Sequence, residues 1–383
     1  MQTAHACVKC GACKWVCPTY PFKEEEGSFA RGRLALAEAV LEGKLEPTNE
    51  VLARWSECAL CRRCEWVCPN GVDYKEVLTN ARALSTDPLA DGALKALKLM
   101  HGTVGRLALK AAGLLALPLP SHVRLPLPTG SSKSFPKPRP DAFSLRGKTF
   151  KPKGKPKARL LFFTGCMIDA FYTHTGKSVI KVLTRAGYEL VVPKELTCCG
   201  APHLYHGRKK LFNELKEQNL KAFSRYEFDA FLVACPTCGG ALKEDYGLEK
   251  EVYSFTELVA KENLSFKGDE SVTVHVPCHY YTAFKKNPEY FYEALKKVKG
   301  VKVRRAENDR SCCGFAGLFS VKNPELSEGI QRNKLEDLKK VDARVVVTEC
   351  PGCVLQLKEG CSKFAKGMRA EHLADYLAKR LVK

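Results

Sequence analysis

The sequence predicts two architectures in one chain. An α-helical module occupies residues 1–100, and an α/β region of two homologous halves, built from parallel βαβ units, begins at residue 159. Three observations predict this. Residues 7–17 and 58–68 share one cysteine spacing, with a helical pattern between them. Beyond residue 159, short apolar, β-branched runs alternate with stretches of 3.6-residue period, the pattern of parallel strands joined by helices. That region also carries one five-cysteine set twice: Cys166, Cys198-Cys199-Gly200 and Cys235-x2-Cys238, then Cys278, Cys312-Cys313-Gly314 and Cys350-x2-Cys353. The intervening gaps are 31 and 35 residues in the first copy, 33 and 36 in the second.

A chain of 383 residues is long enough for two or three domains, each with a core of its own. The predicted divisions are 1–100, 101–158, 159–265 and 270–383. Nineteen cysteines are far more than a globular core uses. The start, MQTAHACVKCGAC, has neither a basic n-region nor an apolar h-region, so the thiols read as metal ligands rather than secreted disulfides. The expected setting is cytoplasmic, with peripheral attachment to the inner face of a membrane as an option. The formal charge of +20 is a weak argument for nucleic acid, and none is expected as a partner. Each cubane held by four thiolates adds roughly −2, so four clusters cancel close to half of that excess. No run of 18 apolar residues exists, which excludes a transmembrane helix of ordinary length.

The first cysteine run is Cys7-x2-Cys10-x2-Cys13-x3-Cys17-Pro18, and the second, Cys58-x2-Cys61-x2-Cys64-x3-Cys68-Pro69, repeats it at an offset of 51. This is the bacterial ferredoxin signature, in which the fourth cysteine of each run serves the other cluster. Cys7, Cys10, Cys13 and Cys68 are therefore assigned to one cubane [4Fe–4S] cluster, and Cys58, Cys61, Cys64 and Cys17 to a second. Zinc, a four-ligand metal, is a poor match to two such runs. Between them, Arg33–Gly43 reads as a helix with Leu34, Ala37, Val40 and Leu41 on one face and Gly43 as its stop. Val72–Leu84 reads as another. Trp15 and Trp66 stand at equivalent positions before the last cysteine of each run, and core packing is their expected role.

Gly102–Leu119 is apolar, with a few charges, and too short and interrupted to span a bilayer. It reads as a linker helix packed on its own protein, the alternatives being a membrane surface or a partner subunit. Pro118–Pro156 is rich in proline and lysine, which predicts an extended, poorly packed and solvated connector.

In the first half, a strand at Leu160–Phe163 leads to Cys166. A helix then carries Val179, Val182, Leu183 and Ala186, stops at Gly187 and feeds the strand Tyr188–Val192, and the strand Ala230–Ala234 delivers Cys235. The second half repeats this. Val272–Val276 precedes Cys278, a helix carries Phe291, Ala294, Leu295 and Val298, and strands follow at Val301–Val303 and Val345–Thr348, with a helix through Leu326 and Ile330 between them. In parallel sheets the ligand site lies at the carboxyl ends of the strands. Cysteines placed there can converge, with Gly200 and Gly314 permitting backbone geometry that a side chain would block. Five thiolates exceed the needs of one cubane, so either one is spare or the cluster is not cubane.

At this point the sequence resembles the CCG-domain proteins, whose pattern is C, CC-G and C-x-x-C. The order of two ferredoxin runs and two CCG halves, with phrases such as CVKCGACKWVCPTY, RGRLALAEAVLEG and SCCGFAGLFSVKNPEL, resembles the iron–sulfur subunits of the glycolate oxidase and heterodisulfide reductase-like family over nearly the whole chain. The resemblance implies an α-helical two-cluster ferredoxin domain followed by duplicated α/β CCG domains. It implies two further, noncubane [4Fe–4S] clusters on Cys166, Cys198, Cys199, Cys235 and Cys238 and on Cys278, Cys312, Cys313, Cys350 and Cys353, with zinc in one half as an alternative. It also implies an oxidoreductase complex subunit that takes electrons from an FAD-containing dehydrogenase of glycolate or lactate type and passes them toward quinone. The rival, implied by the heterodisulfide reductase branch, is a catalytic subunit that cleaves a disulfide between the two noncubane clusters. Some glycolate oxidase members lack one cysteine of a C-x-x-C pair, and this chain keeps all ten. G-x-G-x-x-G and Walker patterns are absent, so no flavin or nicotinamide is expected on the chain itself.

Four histidines lie near these cysteines. His279, after Cys278, is the candidate catalytic residue, with His275, His203 and His206 weaker candidates for tuning a cluster. Cys361 belongs to no set and reads as a buried thiol. Asn219 and Asn333 share the 114-residue offset of the CC-G pairs, which helix packing explains equally well.

Overall fold

The computed structural model describes residues 6–127 and 130–382. Residues 1–5, on which part of the reading of the chain start depends, lie outside it, as do 128, 129 and 383.

The first hundred residues are helical, as expected. Helices span Ala12–Val16, Ala30–Leu41, Asn49–Ser56, Arg63–Trp66, Tyr74–Ala83 and Pro88–Leu99. Ala30–Leu41 buries Leu34 and Ala37, begins three residues before the predicted start, and ends ahead of Gly43 at φ +70°. Thr48, Asp73 and Asp87 cap the next long helices by accepting hydrogen bonds from Val51 N, Glu76 N and Ala90 N. The two tryptophans are not core residues: Trp15 is 83% exposed and Trp66 51%. Each sits two residues from a cysteine on a single helical turn, a rotation of about 200°, so the cysteines take the inner side and the ring faces outward. Lys14 lies over the Trp15 ring at 5.3 Å, and Trp66 meets Tyr281 edge-on at 5.4 Å.

The linker departs from expectation. Helix Thr103–Leu115 packs by Gly113, where a Cβ would meet the Arg139 backbone at 2.5 Å. Its other side leaves Val104, Leu107, Leu114 and Leu115 exposed. The proline- and lysine-rich stretch that follows is only partly the solvated connector expected: Lys148, Lys151, Lys153 and Lys155 are exposed, but three of its segments pair as strands. Strands β1 (His122–Pro126) and β2 (Ser132–Pro136) form an antiparallel hairpin, and β3 (Lys148–Phe150) joins the edge of the first α/β sheet. Two of its cations find buried partners: Lys133 pairs with Glu359 at 3.3 Å and Arg146 with Asp169 at 2.7 Å. Composition describes how soluble such a segment is, and not which carboxylates the rest of the fold brings to it.

The first sheet contains β4 (Ala158–Phe163), β5 (Tyr188–Val192), β6 (Ala230–Val233) and β7 (Val252–Ser254) in the order β3-β5-β4-β6-β7, with every pair but β3·β5 parallel. A short parallel pair unites β8 (Phe266–Lys267) with β10 (Val298–Lys299). The second sheet contains β9 (Ser271–Val274), β11 (Lys302–Arg304), β12 (Val345–Thr348) and β13 (Arg369–His372) in the parallel order β11-β9-β12-β13. Relative to their first strands, β4 and β9, the two sheets are wound alike. The buried faces of helices Thr173–Arg185 and Tyr290–Lys296 carry the apolar residues that the period indicates, except that Val298 belongs to β10.

The halves and the helical module are joined by buried polar ties. Glu349, before Cys350, accepts from Phe255 N and Thr256 N at 3.1 Å each, capping a helix of the first half. His372 returns the tie to Ala234 O at 3.0 Å. Arg82 of the helical module donates to Trp55 O (2.7 Å), Cys58 O (2.6 Å) and Tyr205 O (2.9 Å). Arg62 meets Glu244 at 2.5 Å, and Lys75 meets Asp245 at 2.8 Å.

Replacing Arg82 by Ala strands three buried carbonyls, a loss of about 3 kcal/mol. Arg82→Ala is expected to lower the Tm of anaerobically purified protein by several degrees. Arg369→Ala, which removes half-exposed ion pairs, should stay within about 1 kcal/mol of the parent. Equal Tm values for the two variants would disprove the tie.

Candidate metal centres

The helical module offers two cysteine-lined cavities. Cys7, Cys10, Cys13 and Cys68 line one with Leu34, Val72 and Tyr74, while Cys17, Cys58, Cys61 and Cys64 line the other with Arg33. Cys64 borders both. The chain thus brings the fourth cysteine of each run to the first three of the other. The one-turn helices Ala12–Val16 and Arg63–Trp66 carry the third cysteine, and the last follows as the chain leaves the helix. Leu60 N donates to Cys58 Sγ at 3.3 Å, and Tyr74 OH donates to the same sulfur at 3.6 Å. Cys10 is exposed and Cys58 and Cys61 are buried, so the first site lies nearer to solvent.

The strands of the α/β region deliver their cysteines at one edge. Cys166, Cys235, Cys278 and Cys350 follow the carboxyl ends of β4, β6, β9 and β12, and the two CC-G loops follow β5 and β11. Gly200 and Gly314 have φ of +80° and +87°, and a Cβ on them would meet Phe212 at 2.6 Å and Ser327 O at 2.5 Å. Both loops therefore require glycine on two counts. Asn219 secures the first loop by donating to Cys198 O at 2.9 Å and accepting from Thr197 N at 2.8 Å. Asn333 is exposed and has no such part.

The two sets touch each other at Cys235 and Cys350. Side-chain contacts run from Cys166 to Cys198, Cys199, Cys238 and Cys235, cross to Cys350, and continue through Cys353 and Cys313 to Cys312 and Cys278. Cys313 and Cys353 lie 3.3 Å apart. Cys278 in turn acts electrostatically on Cys61 of the helical module. Nine of these ten cysteines, with Cys58, border a common cavity of about 200 Å³. Hydrogen bonds from neighbouring cysteines hold Cys199, Cys235 and Cys313 well below the ordinary thiol range. The same contacts, followed by burial, push Cys198 and Cys312 well above it. Soft donors gathered out of water in this number fit iron–sulfur ligation, which supplies positive charge.

His279 stands where the three units meet. Its Nε2 donates to Leu60 O at 2.9 Å, which leaves Nδ1 to accept from the Thr237 hydroxyl at 2.9 Å. Burial lowers its pKa, and with both nitrogens engaged the neutral ring ties the module to both halves. His203 and His206 are anchored on Leu94 O and Pro202 O, and burial takes His206 down to about 4. Cys361 is buried away from the other sulfurs, its thiol pushed up to about 12 by burial. His275 is fully buried beside Cys313 and Cys353. The sequence analysis missed Arg82 and Tyr74, because nothing in their local pattern separates a buried donor to sulfur or loop from an ordinary helix residue.

Known proteins resemble this chain in sequence. The cysteine-rich domain family matches residues 160–243 and 272–358, and the 4Fe-4S dicluster domain family matches 3–72. A probable glycolate oxidase iron–sulfur subunit of Bacillus subtilis is 31% identical over 97% of this chain and 92% of its own length. The chain belongs to that iron–sulfur subunit family. The glycolate oxidase iron–sulfur subunit of Escherichia coli is 28% identical over 92% of this chain and 89% of its own length. Lactate utilization protein A of Geobacillus thermodenitrificans is 30% identical over 58% of this chain and 99% of its own. Among solved structures, a hypothetical protein from Helicobacter pylori covers 97% of this chain and 70% of its own with a TM-score of 0.55 at 10% identity, a likeness of fold alone. The dicluster and cysteine-rich domain matches support iron–sulfur clusters on this chain.

Because Cys17 sits with the second run, Cys17→Ser is expected to degrade the centre of Cys58, Cys61 and Cys64 and spare that of Cys7, Cys10 and Cys13. Cys68→Ser should do the reverse. Electron paramagnetic resonance of the dithionite-reduced variants reads this, and loss of the same-run centre in either variant would overturn the crossed arrangement.

Proposed function

We propose that this chain is the electron-transfer subunit of an FAD-linked 2-hydroxyacid dehydrogenase complex of glycolate or lactate type, carrying electrons from a partner's flavin toward quinone. The observation that carries the reading is the succession of cysteine-lined sites: the exposed Cys10 side of the helical module, a second cavity that shares Cys64 with it, and the joined sets of the α/β halves, whose Cys278 acts electrostatically on Cys61. Two cubane [4Fe–4S] clusters on the ferredoxin cysteines, crossed as assigned, and two further clusters on the CCG cysteines supply one-electron redox chemistry when bound. The protein's own residues hold the thiolates, exclude water around Cys58, Cys198 and Cys312, and fix the spacing between units through Arg82 and His279. Its similarity to glycolate oxidase iron–sulfur subunits and to lactate utilization protein A supports the substrate class. No helix among the described residues is long and apolar enough to cross a membrane. The exposed apolar side of Thr103–Leu115, with Arg106 and Lys110 on the same helix, suits peripheral attachment to an anionic membrane surface where quinone is met.

A second reading, disulfide cleavage, is favoured by one observation: both CCG sets face a single cavity, which Phe315, Leu318 and Leu60 line with apolar surface. Cleavage requires two electrons and substrate sulfur bound at the site, whereas a relay requires neither. Adding a thiol to the oxidised protein is expected to leave the CCG signals unchanged. A new paramagnetic species, lost in both Cys199→Ser and Cys313→Ser, would replace the relay reading with this one.

Anaerobically purified protein is expected to contain about 16 irons per chain. Without a flavoprotein it should not reduce a dye at the expense of glycolate or lactate, and should do so when the flavoprotein is restored. Turnover by the isolated chain would sink the proposal.

A further inference from the structure

The two α/β halves are wound alike, yet their sulfur sites differ at one buried position. Three residues before Cys166 the first half has Phe163, buried and packed edge-on against Phe223. Three residues before Cys278 the second half has His275. Its ring is 0% exposed, and neither nitrogen makes a hydrogen bond of good geometry with the surrounding protein. A fully buried imidazole normally binds a carbonyl, hydroxyl or carboxylate, and leaving it without a partner is costly. What faces it instead is sulfur: a ring nitrogen of His275, Cys313 Sγ and Cys353 Sγ all lie within 4.8 Å of one another. Nearby, the buried Lys334 ammonium donates to Asn308 O at 2.5 Å and acts electrostatically on Cys313, adding positive potential to the same site.

We propose that His275 donates an N–H···S hydrogen bond to the Cys313 thiolate when the second half holds its iron–sulfur cluster, and thereby sets that cluster at a higher reduction potential than the one in the first half. The inference rests on the reading that both halves hold clusters. A neutral imidazole has one N–H in either tautomer, so no change of protonation is involved. A donor at a ligand sulfur stabilises the more negative, reduced state, which raises the potential. Phe163 offers the first half no donor at this position. Electrons shared between the two halves across the Cys235–Cys350 junction therefore collect in the second half, and the pair has a direction that the fold's internal similarity alone would not give it.

The test uses the full chain purified anaerobically, with redox titration followed by electron paramagnetic resonance. His275→Phe, which copies Phe163, is expected to lower the potential of one centre by a tenfold change in its redox equilibrium, about 59 mV for one electron. His275→Gln, which keeps an N–H donor, should restore most of the shift, and the other three centres should not move. With 15N-histidine, the second-half centre of the parent protein should show a weak nitrogen coupling that both variants lose. An unchanged potential in His275→Phe with its iron intact overturns the inference. So does a strong coupling, which would make His275 an iron ligand rather than a donor. If His275→Phe loses iron, the parent's coupling and the potential of His275→Gln decide on the same terms. Parent protein about four irons short of the expected content, with no second-half signal, would instead show that the reading of two CCG clusters has failed.

Discussion

The tertiary structure depends on the convergence of thiols out of water. A thiolate in a protein interior is unfavourable unless positive charge meets it, and this fold gathers ten cysteines, most of them buried, at the carboxyl edges of two parallel sheets. A fold held by hydrophobic burial alone would disperse them. The glycines after each CC pair, the Asn219 clamp on Cys198 and the cross-half ties of Glu349 and His372 all hold these loops in place. The sheets supply a rigid platform, and the energetic reason for its shape lies in the soft metal centres of the family.

Buried polar ties bring the cysteine-lined sites of three units together. Arg82, His279 and Thr282 bind the backbone around Cys58, Leu60 and Cys61 to the two halves by hydrogen bonds of 2.6–3.1 Å. Electron transfer between centres is sensitive to their separation, so a buried polar tie, which fixes orientation more closely than apolar packing, suits such a junction. Burial of Arg82 and His279 makes their hydrogen bonds strong in the low local dielectric and costly to leave unmade. The ordered connector has a related effect: Lys133 and Arg146 spend their charges on buried carboxylates and fasten residues 118–156 to both α/β halves.

Similarity between the halves is accompanied by difference in their chemistry. Both sheets are wound in one order, and both sets have five cysteines, but the first site is backed by Phe163 and the second by His275 and Lys334. Asn219 and Asn333, related by the same offset as the CC pairs, show the same divergence, one a buried clamp and the other exposed.

By itself the sequence determined the features that repeat. Cysteine runs at an offset of 51, five-cysteine sets with nearly matching gaps, and strands such as Tyr188–Val192 and Val345–Thr348 are local patterns, because ligand geometry and side-chain periodicity act over a few residues. The tertiary structure alone decided what depends on partners distant in the chain. Trp15 and Trp66 point outward because the cysteines occupy the inner side of their single turns, although a tryptophan ordinarily suggests a core. The basic connector is ordered because Glu359 and Asp169 come from over twenty to more than two hundred residues away. The contact of Cys235 with Cys350 arises only when the two halves meet, and the placement of His275 against Cys313 only when β9 and β11 pair within the second sheet; no spacing in one dimension encodes either.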